Sequence, residues 1–136
     1  MPLSILVVDD DQDVSLMLQD RLTSLGFSVT TASDGAEGIA MLKTLAVHGI
    51  LLDIQMPIMD GLTMLDQVRK RYPNIPVIVM SAGINKQKLI QAMERGAHDY
   101  LLKPVDMELL FEKCCTVFSS SWTDSDVSPR PKVDPP

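Results

Sequence analysis

Two kinds of hydrophobic pattern alternate along the chain. Continuous apolar runs at residues 5–8, 50–52, 77–80 and 100–102 are separated by longer segments in which apolar residues recur at steps of three and four. The first pattern is typical of buried strands and the second of amphipathic helices. Residues 27–31 alternate between apolar and polar side chains and predict a weaker strand. The chain therefore predicts five strands alternating with five helices.

The first two helices have recognisable boundary residues. The first helix is expected to bury the face formed by Val14, Met17, Leu18, Leu22 and Leu25. Gly26 is placed to end it, because glycine tolerates the left-handed conformation that follows many helices. Asp34 and Glu37 have the spacing of a capping box, so the second helix is expected to start at Asp34 and to run toward Thr44.

Three more helices are predicted in the second half of the chain, at residues 60–72, 85–95 and 106–118. Gly96 is expected to end the middle one, and Asp106 is a good N-cap for the last. Strands that read as continuous apolar runs are buried on both faces, which predicts a parallel sheet with helices on both sides. For five strands and right-handed crossovers we predict the flavodoxin-like, doubly wound α/β fold with strand order 2-1-3-4-5.

Composition excludes several classes of function. A chain of 136 residues, 46% hydrophobic and 22% charged, fits one globular domain. Its net charge of −6 argues against nucleic-acid contact, and the absence of a long apolar run or secretory leader predicts no membrane contact and a cytoplasmic location. Cys114 and Cys115, adjacent in a predicted helix, suggest neither a disulfide framework nor a zinc site. Arg69, Lys70 and Arg71 end the third helix, where cations complement the helix dipole.

The end of the chain has a different composition. Residues 119–136, SSSWTDSDVSPRPKVDPP, are rich in Ser, Pro and Asp and show no apolar period. Such a composition cannot bury enough apolar surface to offset the entropy of ordering the chain. We therefore expect a folded domain at residues 1–118, followed by a disordered tail or linker at residues 119–136.

Polar residues stand where the predicted strands end. Asp9 and Asp10 follow strand one, Asp53 follows strand three, Ser81 follows strand four and Lys103 follows strand five. All would lie on one edge of a parallel sheet, where three carboxylates repel one another unless a divalent cation joins them. Oxygen ligands with open positions predict Mg²⁺, with Mn²⁺ as an alternative. We expect Asp53 to be a metal ligand and nucleophile, and Lys103 its counter-charge.

Four motifs in this order resemble the receiver (CheY-like) domain of two-component response regulators over about residues 3–118. They are VVDDD, LLDIQMPIMDG, VIVMSAG and GAHDYLLKP. The resemblance implies transfer of a phosphoryl group from a sensor histidine kinase or a histidine phosphotransfer protein. The chain would then control a downstream effector domain or protein.

The resemblance also implies roles for the residues at the strand ends. Asp53 would receive the phosphoryl group and Lys103 would pair with it before and after transfer. Asp10 would bind Mg²⁺ directly, Asp9 directly or through water, and Gln55 through its backbone carbonyl. Phosphoryl transfer has a loose transition state with charge spread over three oxygens, so these cations and ligands are suited to it.

Further residues match the family's switch and loop positions. Ser81 would donate its hydroxyl to a phosphoryl oxygen, and Ala82 would also bind the phosphoryl group. Tyr100 would turn inward as Ser81 moves, which would alter the face made by helix four, strand five and helix five; plain packing of Tyr100 is the alternative. Gly83 and Gln55 match positions that adjust lifetime in the family. Since Gly83 has no side chain to guide water, we expect no strong autodephosphorylation.

Loop-shaping roles and the quaternary state complete the predictions. Pro57 and Gly61 would shape the loop after Asp53, and Pro104 follows a bond that is cis in the family. A phosphorylation-dependent homodimer through helices four and five is left open. His48 and His98 have no second metal ligand nearby and are expected at the surface.

Other interpretations are weaker. Asp9, Asp11 and Asp13 imitate the first ligands of a calcium-binding loop, but Val14 and Asp20 stand where that loop needs Gly and Glu. The aspartates could also simply cap the first helix.

A haloacid dehalogenase-like phosphatase would use an aspartyl phosphate too. That enzyme class is expected to have a second acid two residues after the nucleophile, and Gln55 stands there. A phosphorylation-independent interaction module of the same fold is a third alternative, against which the full set of acids, hydroxyl and lysine argues. We therefore expect a signalling domain rather than an enzyme, with at most self-catalysed phosphorylation and dephosphorylation.

Overall fold

The computed structural model describes residues 3–56, 59–82 and 86–119. Strands and helices alternate as predicted. The strands are β1 (Ser4–Val8), β2 (Ser28–Ala32), β3 (Gly49–Asp53), β4 (Val77–Ala82) and β5 (Asp99–Lys103). The helices are α1 (Gln12–Ser24), α2 (Gly35–Leu42), α3 (Gly61–Arg71), α4 (Lys86–Glu94) and α5 (Met107–Lys113), and a π-helical segment at Cys114–Ser119 continues α5. Pro57, Gly83, Asn85 and the predicted tail beyond residue 119 lie outside the described residues.

All five strands are parallel, in the order β2-β1-β3-β4-β5. The predicted fold class and strand order are confirmed. Successive residues of β1 point to opposite faces, so Leu6 and Val8 belong to one hydrophobic layer and Ile5 and Val7 to the other. Helices cover both layers, and all strands end at the same rim. None of the helices within the described ranges is long and apolar enough to cross a membrane.

Aspartates begin four of the helices. Asp11, Asp34, Asp60 and Asp106 are the N-caps of α1, α2, α3 and α5, and each side chain accepts backbone N–H bonds from the first turn. The capping box predicted at Asp34 is shifted by one residue. Asp34 accepts from the Glu37 N–H as expected, but Glu37 Oε1 accepts from the N–H and the hydroxyl of Ser33. The sequence therefore fixes most helix starts through one residue type.

The predicted apolar face of α1 is partly wrong. Leu18 and Leu22 are fully buried, but Met17 is 39% exposed and Leu25 is 46% exposed. Leu25 is the C-cap of α1, with φ −90° and ψ 2°, so its side chain no longer follows the rotation of the helix. Gly26, at φ 103°, then turns the chain toward β2, as predicted.

The expectation that strand five is buried on both faces is also wrong. Only Leu101 of the predicted run is buried; Tyr100 and Leu102 are 39% and 47% exposed. β5 is an edge strand, and its outer face is incompletely covered. This leaves an apolar groove of about 560 Å³ against α4, lined by Leu89, Ile90 and Met93 together with Tyr100 and Leu102.

The last predicted helix changes its winding. It is α-helical only to Lys113 and π-helical from Cys114 to Ser119. Leu110, Cys114 and Phe118 are nevertheless all buried on the same core. Four residues overshoot one α-helical turn by about 40°, and the wider π turn offsets that drift. Phe118 thereby lies against Gly49, where a Cβ atom would overlap its ring.

Two histidines join neighbouring strands at the amino end of the sheet. The His48 N–H donates to the Ser4 carbonyl at 2.7 Å, and the Ser4 N–H donates to His48 Nδ1 at 3.0 Å. His98 and Val77 repeat this exchange between β5 and β4, at 2.8 and 3.3 Å. The His98 residue is exposed as predicted, although its ring is partly buried where it bonds Val77; His48 is half-buried. Each Nδ1 must carry no proton in order to accept, so both imidazoles are neutral. Burial lowers the pKa of both rings, which favours this neutral form.

Arg69 does more than complement the helix dipole. Its guanidinium donates to the carbonyls of Pro73 and Ile75, in the loop between α3 and β4. A Cβ at Gly96 would lie 2.8 Å from Arg69 Cδ, so the glycine after α4 also makes room for this side chain. The arginine therefore ties α3 to the segment that leads into β4.

Candidate functional site

Three aspartates meet at the carboxyl ends of β1 and β3. Val8 pairs with Leu52 in the parallel register, so Asp9 and Asp53 follow side by side. Carboxylate oxygens of Asp9, Asp10 and Asp53 lie within 4.8 Å of one another. Asp9 and Asp53 are buried and Asp10 is exposed. The predicted acidic cluster (Asp9, Asp10 and Asp53) is therefore assembled, with one of its members open to solvent.

Lys103 is the cation that faces this cluster. Its Nζ lies 2.8 Å from Asp9 Oδ2 and 3.2 Å from Asp53 Oδ2, and its side chain is only 24% exposed. Burial alone would lower the pKa of Lys103, but the hydrogen bonds and charges of Asp9 and Asp53 outweigh it and raise that pKa. The ammonium is therefore held charged between two buried carboxylates.

The ionisation of the Asp53 carboxyl group is disfavoured. Burial, and then the charge of Asp9, raise its pKa to about 6, against the Gln55 N–H bond and the charge of Lys103. Asp53 Oδ1 accepts from that N–H at 2.9 Å while Oδ2 faces Lys103, so the plane of the carboxylate is fixed. One ammonium does not compensate three carboxylates at this rim.

The cluster fits a small, hard divalent cation. Its donors are all oxygens, they are close enough to share an ion, and they carry an excess of negative charge. Mg²⁺ prefers such ligands and retains several waters, for which the exposed side of Asp10 leaves room. Asp11 and Asp13 lie outside the cluster, and Asp11 is occupied as the N-cap of α1, which disfavours a calcium loop.

Ser81 and Ala82 stand at the end of β4, beside Asp53. Ser81 is fully buried, and its Oγ donates to the Ala82 carbonyl at 3.0 Å rather than to Asp53. The Ala82 N–H donates to Oε1 of Gln55 at 3.1 Å. Both groups predicted to contact a phosphoryl group are thus adjacent to the cluster but are bonded to the protein itself.

The other predicted residues that the structure describes are Gly61, Pro104 and Tyr100. Gly61 packs on the backbone at the end of β3, since a Cβ there would overlap Ile54 Cα and the Asp53 carbonyl. Pro104 follows Lys103 through a cis peptide bond. Tyr100 lies three residues before Lys103, at the edge of the sheet, with Lys113 Nζ 4.9 Å from its ring centroid. Tyr100 is therefore turned outward in this structure.

The sequence matches the family model of the response regulator receiver domain over residues 5–114. The chain belongs to this family. It is 41% identical over 102 residues to the DNA-binding transcriptional regulator NtrC of Klebsiella pneumoniae, a match that covers 75% of this chain and 22% of NtrC. It is 37% identical over 111 residues to the transcriptional regulatory protein GlrR of Escherichia coli, which covers 82% of this chain and 25% of GlrR. This receiver domain thus spans about a quarter of the length of these curated relatives.

A solved structure agrees with this assignment. The CheY-like response regulator receiver domain protein of Methanospirillum hungatei superposes with a TM-score of 0.84 at 26% identity, covering 89% of this chain and 97% of that one. Receiver domains are signalling domains of two-component systems, and the family binds Mg²⁺ at an acidic pocket. The predicted family and fold are therefore confirmed. The boundary at residue 118 and the role of each site residue stay predictions.

Sequence reasoning missed several contacts of the site. It paired Lys103 with Asp53, whereas the shorter ion pair is with Asp9. It gave Gln55 a backbone carbonyl for the metal and a part in phosphoryl lifetime, but did not foresee the bond from its side chain to the Ala82 N–H. It did not consider Ser15, whose hydroxyl donates to the Asp9 carbonyl at 3.3 Å. The position of Ser15, one helical turn after the first acids, was the available indication.

Proposed function

We propose that this receiver domain accepts a phosphoryl group on Asp53 from a sensor histidine kinase or a histidine phosphotransfer protein. The observation that supports this most is the buried Asp53 carboxylate, fixed by the Gln55 N–H on one oxygen and facing Lys103 with the other. A burial-raised pKa marks a carboxylate that water solvates poorly, which suits a nucleophile. In the transfer, an Asp53 oxygen bonds to phosphorus as the phosphorus–nitrogen bond of the donor breaks, and the departing imidazole takes up a proton.

The charges around Asp53 suit this reaction. Asp9, Asp10, Asp53 and the backbone carbonyl of Gln55 would hold Mg²⁺, which when bound would offset the charge that develops on the phosphoryl oxygens. Lys103 is positively charged beside Asp53 before the transfer, because its pKa is raised by its two acidic partners. It would then pair with the phosphoryl group on Asp53.

The consequence of phosphorylation would be a changed surface at α4, β5 and α5. The hydroxyl of Ser81 and the N–H of Ala82 would turn to the phosphoryl oxygens, and Tyr100 would leave its outward position under Lys113. The groove between α4 and β5 would then change shape for a downstream effector domain or protein. We further propose a cytoplasmic domain without enzymatic activity on separate substrates, and slow self-catalysed dephosphorylation.

Incubation of the full chain with acetyl phosphate and Mg²⁺ tests the proposal. Intact-mass spectrometry is expected to show one added phosphoryl group on the wild type and none on Asp53→Asn. Asp20→Asn is a matched control, because Asp20 is an exposed acid on α1 outside the cluster. Equal phosphorylation of wild type and Asp53→Asn would contradict the proposal, and steady turnover of a phosphoester would favour a phosphatase.

A further inference from the structure

The side chain of Gln55 connects the end of β3 to the end of β4. Its backbone N–H donates to Asp53 Oδ1 at 2.9 Å, and its side-chain Oε1 accepts from the Ala82 N–H at 3.1 Å. Since a backbone N–H can only donate, the oxygen of the amide must face Ala82. Both residues are half-buried, and 27 positions separate them along the chain. One residue therefore contacts both the proposed phosphoacceptor and the strand that would respond to it.

From this geometry we propose that Gln55 Oε1 is a competing acceptor, which occupies the Ala82 N–H until a phosphoryl oxygen on Asp53 displaces it. Gln55 would thus be a positioning residue that sets how readily the end of β4 rearranges. The inference rests on the proposed function of Asp53. It assigns the side chain of Gln55 a part in the conformational response, separate from the backbone carbonyl proposed as a metal ligand.

The donors at the end of β4 are already satisfied in this structure. The Ser81 hydroxyl donates to the Ala82 carbonyl and the Ala82 N–H donates to Gln55. A phosphoryl oxygen on Asp53 can gain the Ala82 N–H only by replacing the amide oxygen of Gln55. An anionic acceptor makes a hydrogen bond roughly twice as strong as a neutral one, so the exchange favours the phosphoryl group by the difference between the two bonds. The competing bond thereby holds the unphosphorylated arrangement.

Removing the competing oxygen should strengthen the binding of a phosphoryl-like ligand. Gln55→Met keeps the length and approximate volume of the side chain but has no strong acceptor. A typical net hydrogen-bond contribution predicts that Gln55→Met binds beryllofluoride about three- to tenfold more tightly than the wild type. Gln55→Glu keeps an acceptor oxygen at the same reach, so its affinity should not exceed that of the wild type.

The experiment is a titration of the ¹⁵N-labelled full chain with beryllofluoride at saturating Mg²⁺, followed by NMR. Beryllofluoride is not hydrolysed, so an effect of Gln55 on phosphoryl lifetime would not alter the affinity. The second readout is the Ala82 amide proton before ligand is added; in Gln55→Met it should shift upfield and exchange faster with solvent. Gln19→Met is the matched control, because Gln19 also bonds a backbone group, the Val29 carbonyl, at 3.3 Å and lies away from the cluster.

The outcomes separate the inference from the proposed function. The competing acceptor is supported if only Gln55→Met binds beryllofluoride more tightly. The Ala82 amide signal of this variant should also differ from that of the wild type before ligand is added and resemble it after both are saturated. An unchanged affinity and an unchanged Ala82 amide in Gln55→Met would overturn the inference and leave the proposed function intact, as would equal tightening in Gln55→Glu. A wild-type chain that neither binds beryllofluoride nor accepts phosphate would overturn both.

Discussion

The two ends of the parallel sheet differ in how their polar groups are paired. At the carboxyl end, Asp9 and Asp53 are buried with a single ammonium between them, and the pKa of Asp53 is raised to about 6. At the amino end, the first residues of β1 and β4 are paired with neutral imidazoles, and Phe118 closes over Gly49. The N–H groups that begin β1 and β4 are thus satisfied by neutral acceptors. The comparison teaches that the buried carboxylates of this sheet, which outnumber their one ammonium, lie at the end where chemistry is proposed.

The largest expected effect comes from removing the ammonium at the carboxyl end. Lys103→Met would leave Asp9 and Asp53 buried without a cation, so the free energy of unfolding at pH 7.5 in EDTA should fall by about 3 kcal/mol. Mg²⁺ should restore part of the loss, because it would take over the neutralising charge. Urea denaturation measures both effects, with the exposed Lys70→Met as control. If Lys103→Met lowers the free energy of unfolding no more than Lys70→Met does, the buried carboxylates at the carboxyl end do not need the ammonium.

At the amino end, the largest expected loss of stability comes from a steric clash. A Cβ at Gly49 would overlap the fully buried Phe118 ring, so Gly49→Ala should cost about 2 kcal/mol of unfolding free energy. Phe118→Leu should relieve much of that cost in the double variant, measured as a double-mutant cycle by urea denaturation. Beryllofluoride affinity should be unchanged in Gly49→Ala. Additive costs in the cycle would show that the ring and the glycine do not interact.

A second lysine sharpens the comparison along one strand. Lys113 donates to Asp99 and to the Tyr100 carbonyl, both at 2.8 Å, and lies over the Tyr100 ring. The two lysines are about equally exposed, but Asp99 is 30% exposed whereas Asp9 and Asp53 are buried, so Lys113→Met should cost only about 0.5–1 kcal/mol. Thermal unfolding is sensitive enough to rank this cost. A loss as large as that of Lys103→Met would remove the distinction between buried and accessible charge.

The smallest effect is an opposite dependence on pH at the two ends. The folded-state pKa of Asp53 is raised above its ordinary 3.8, so the folded chain binds this proton first and the unfolding free energy rises as pH falls through about 6. The folded-state pKa values of His48 and His98 are lowered by burial. The unfolded chain therefore binds these protons first, and their contribution is lost as pH falls below 6.5.

Variants separate the two contributions to this pH dependence. In EDTA, Asp53→Asn should make the drop in stability from pH 7.5 to 5.5 steeper. His48→Asn with His98→Asn, which retains an acceptor oxygen near the place of each Nδ1, should make it shallower. Urea denaturation at the two pH values measures both slopes. The same change of slope in both variants would contradict the assigned signs.

The sequence was sufficient for the parts that depend on strand ends. Continuous apolar runs predict a parallel sheet, and parallel strands bring their carboxyl ends together, so the pattern alone places the acidic cluster and Lys103 at one rim. Contacts that depend on register and rotamers could not be placed. Nothing in the spacing of Gln55 and Ala82, or of His48 and Ser4, indicates a hydrogen bond between them.

The exposure of side chains on the edge strand and the geometry of helix ends could not be predicted from the sequence either. The run at residues 100–102 has the same pattern as a central strand, yet Tyr100 and Leu102 are exposed because β5 is an edge strand. The four-residue spacing of Leu110, Cys114 and Phe118 fits an α-helix as well as the π winding that is present. Leu25 continues the helical pattern of α1 but lies at its C-cap, where the pattern no longer applies.

The packing of Phe118 on Gly49 places the end of the last helical segment at the amino end of β3, whereas Asp53 closes the carboxyl end of that five-residue strand. A strand of this length spans about 17 Å, which is beyond the reach of any side chain. A reporter group attached beside Phe118 would therefore sense an event at Asp53 only as a displacement transmitted through the body of the domain.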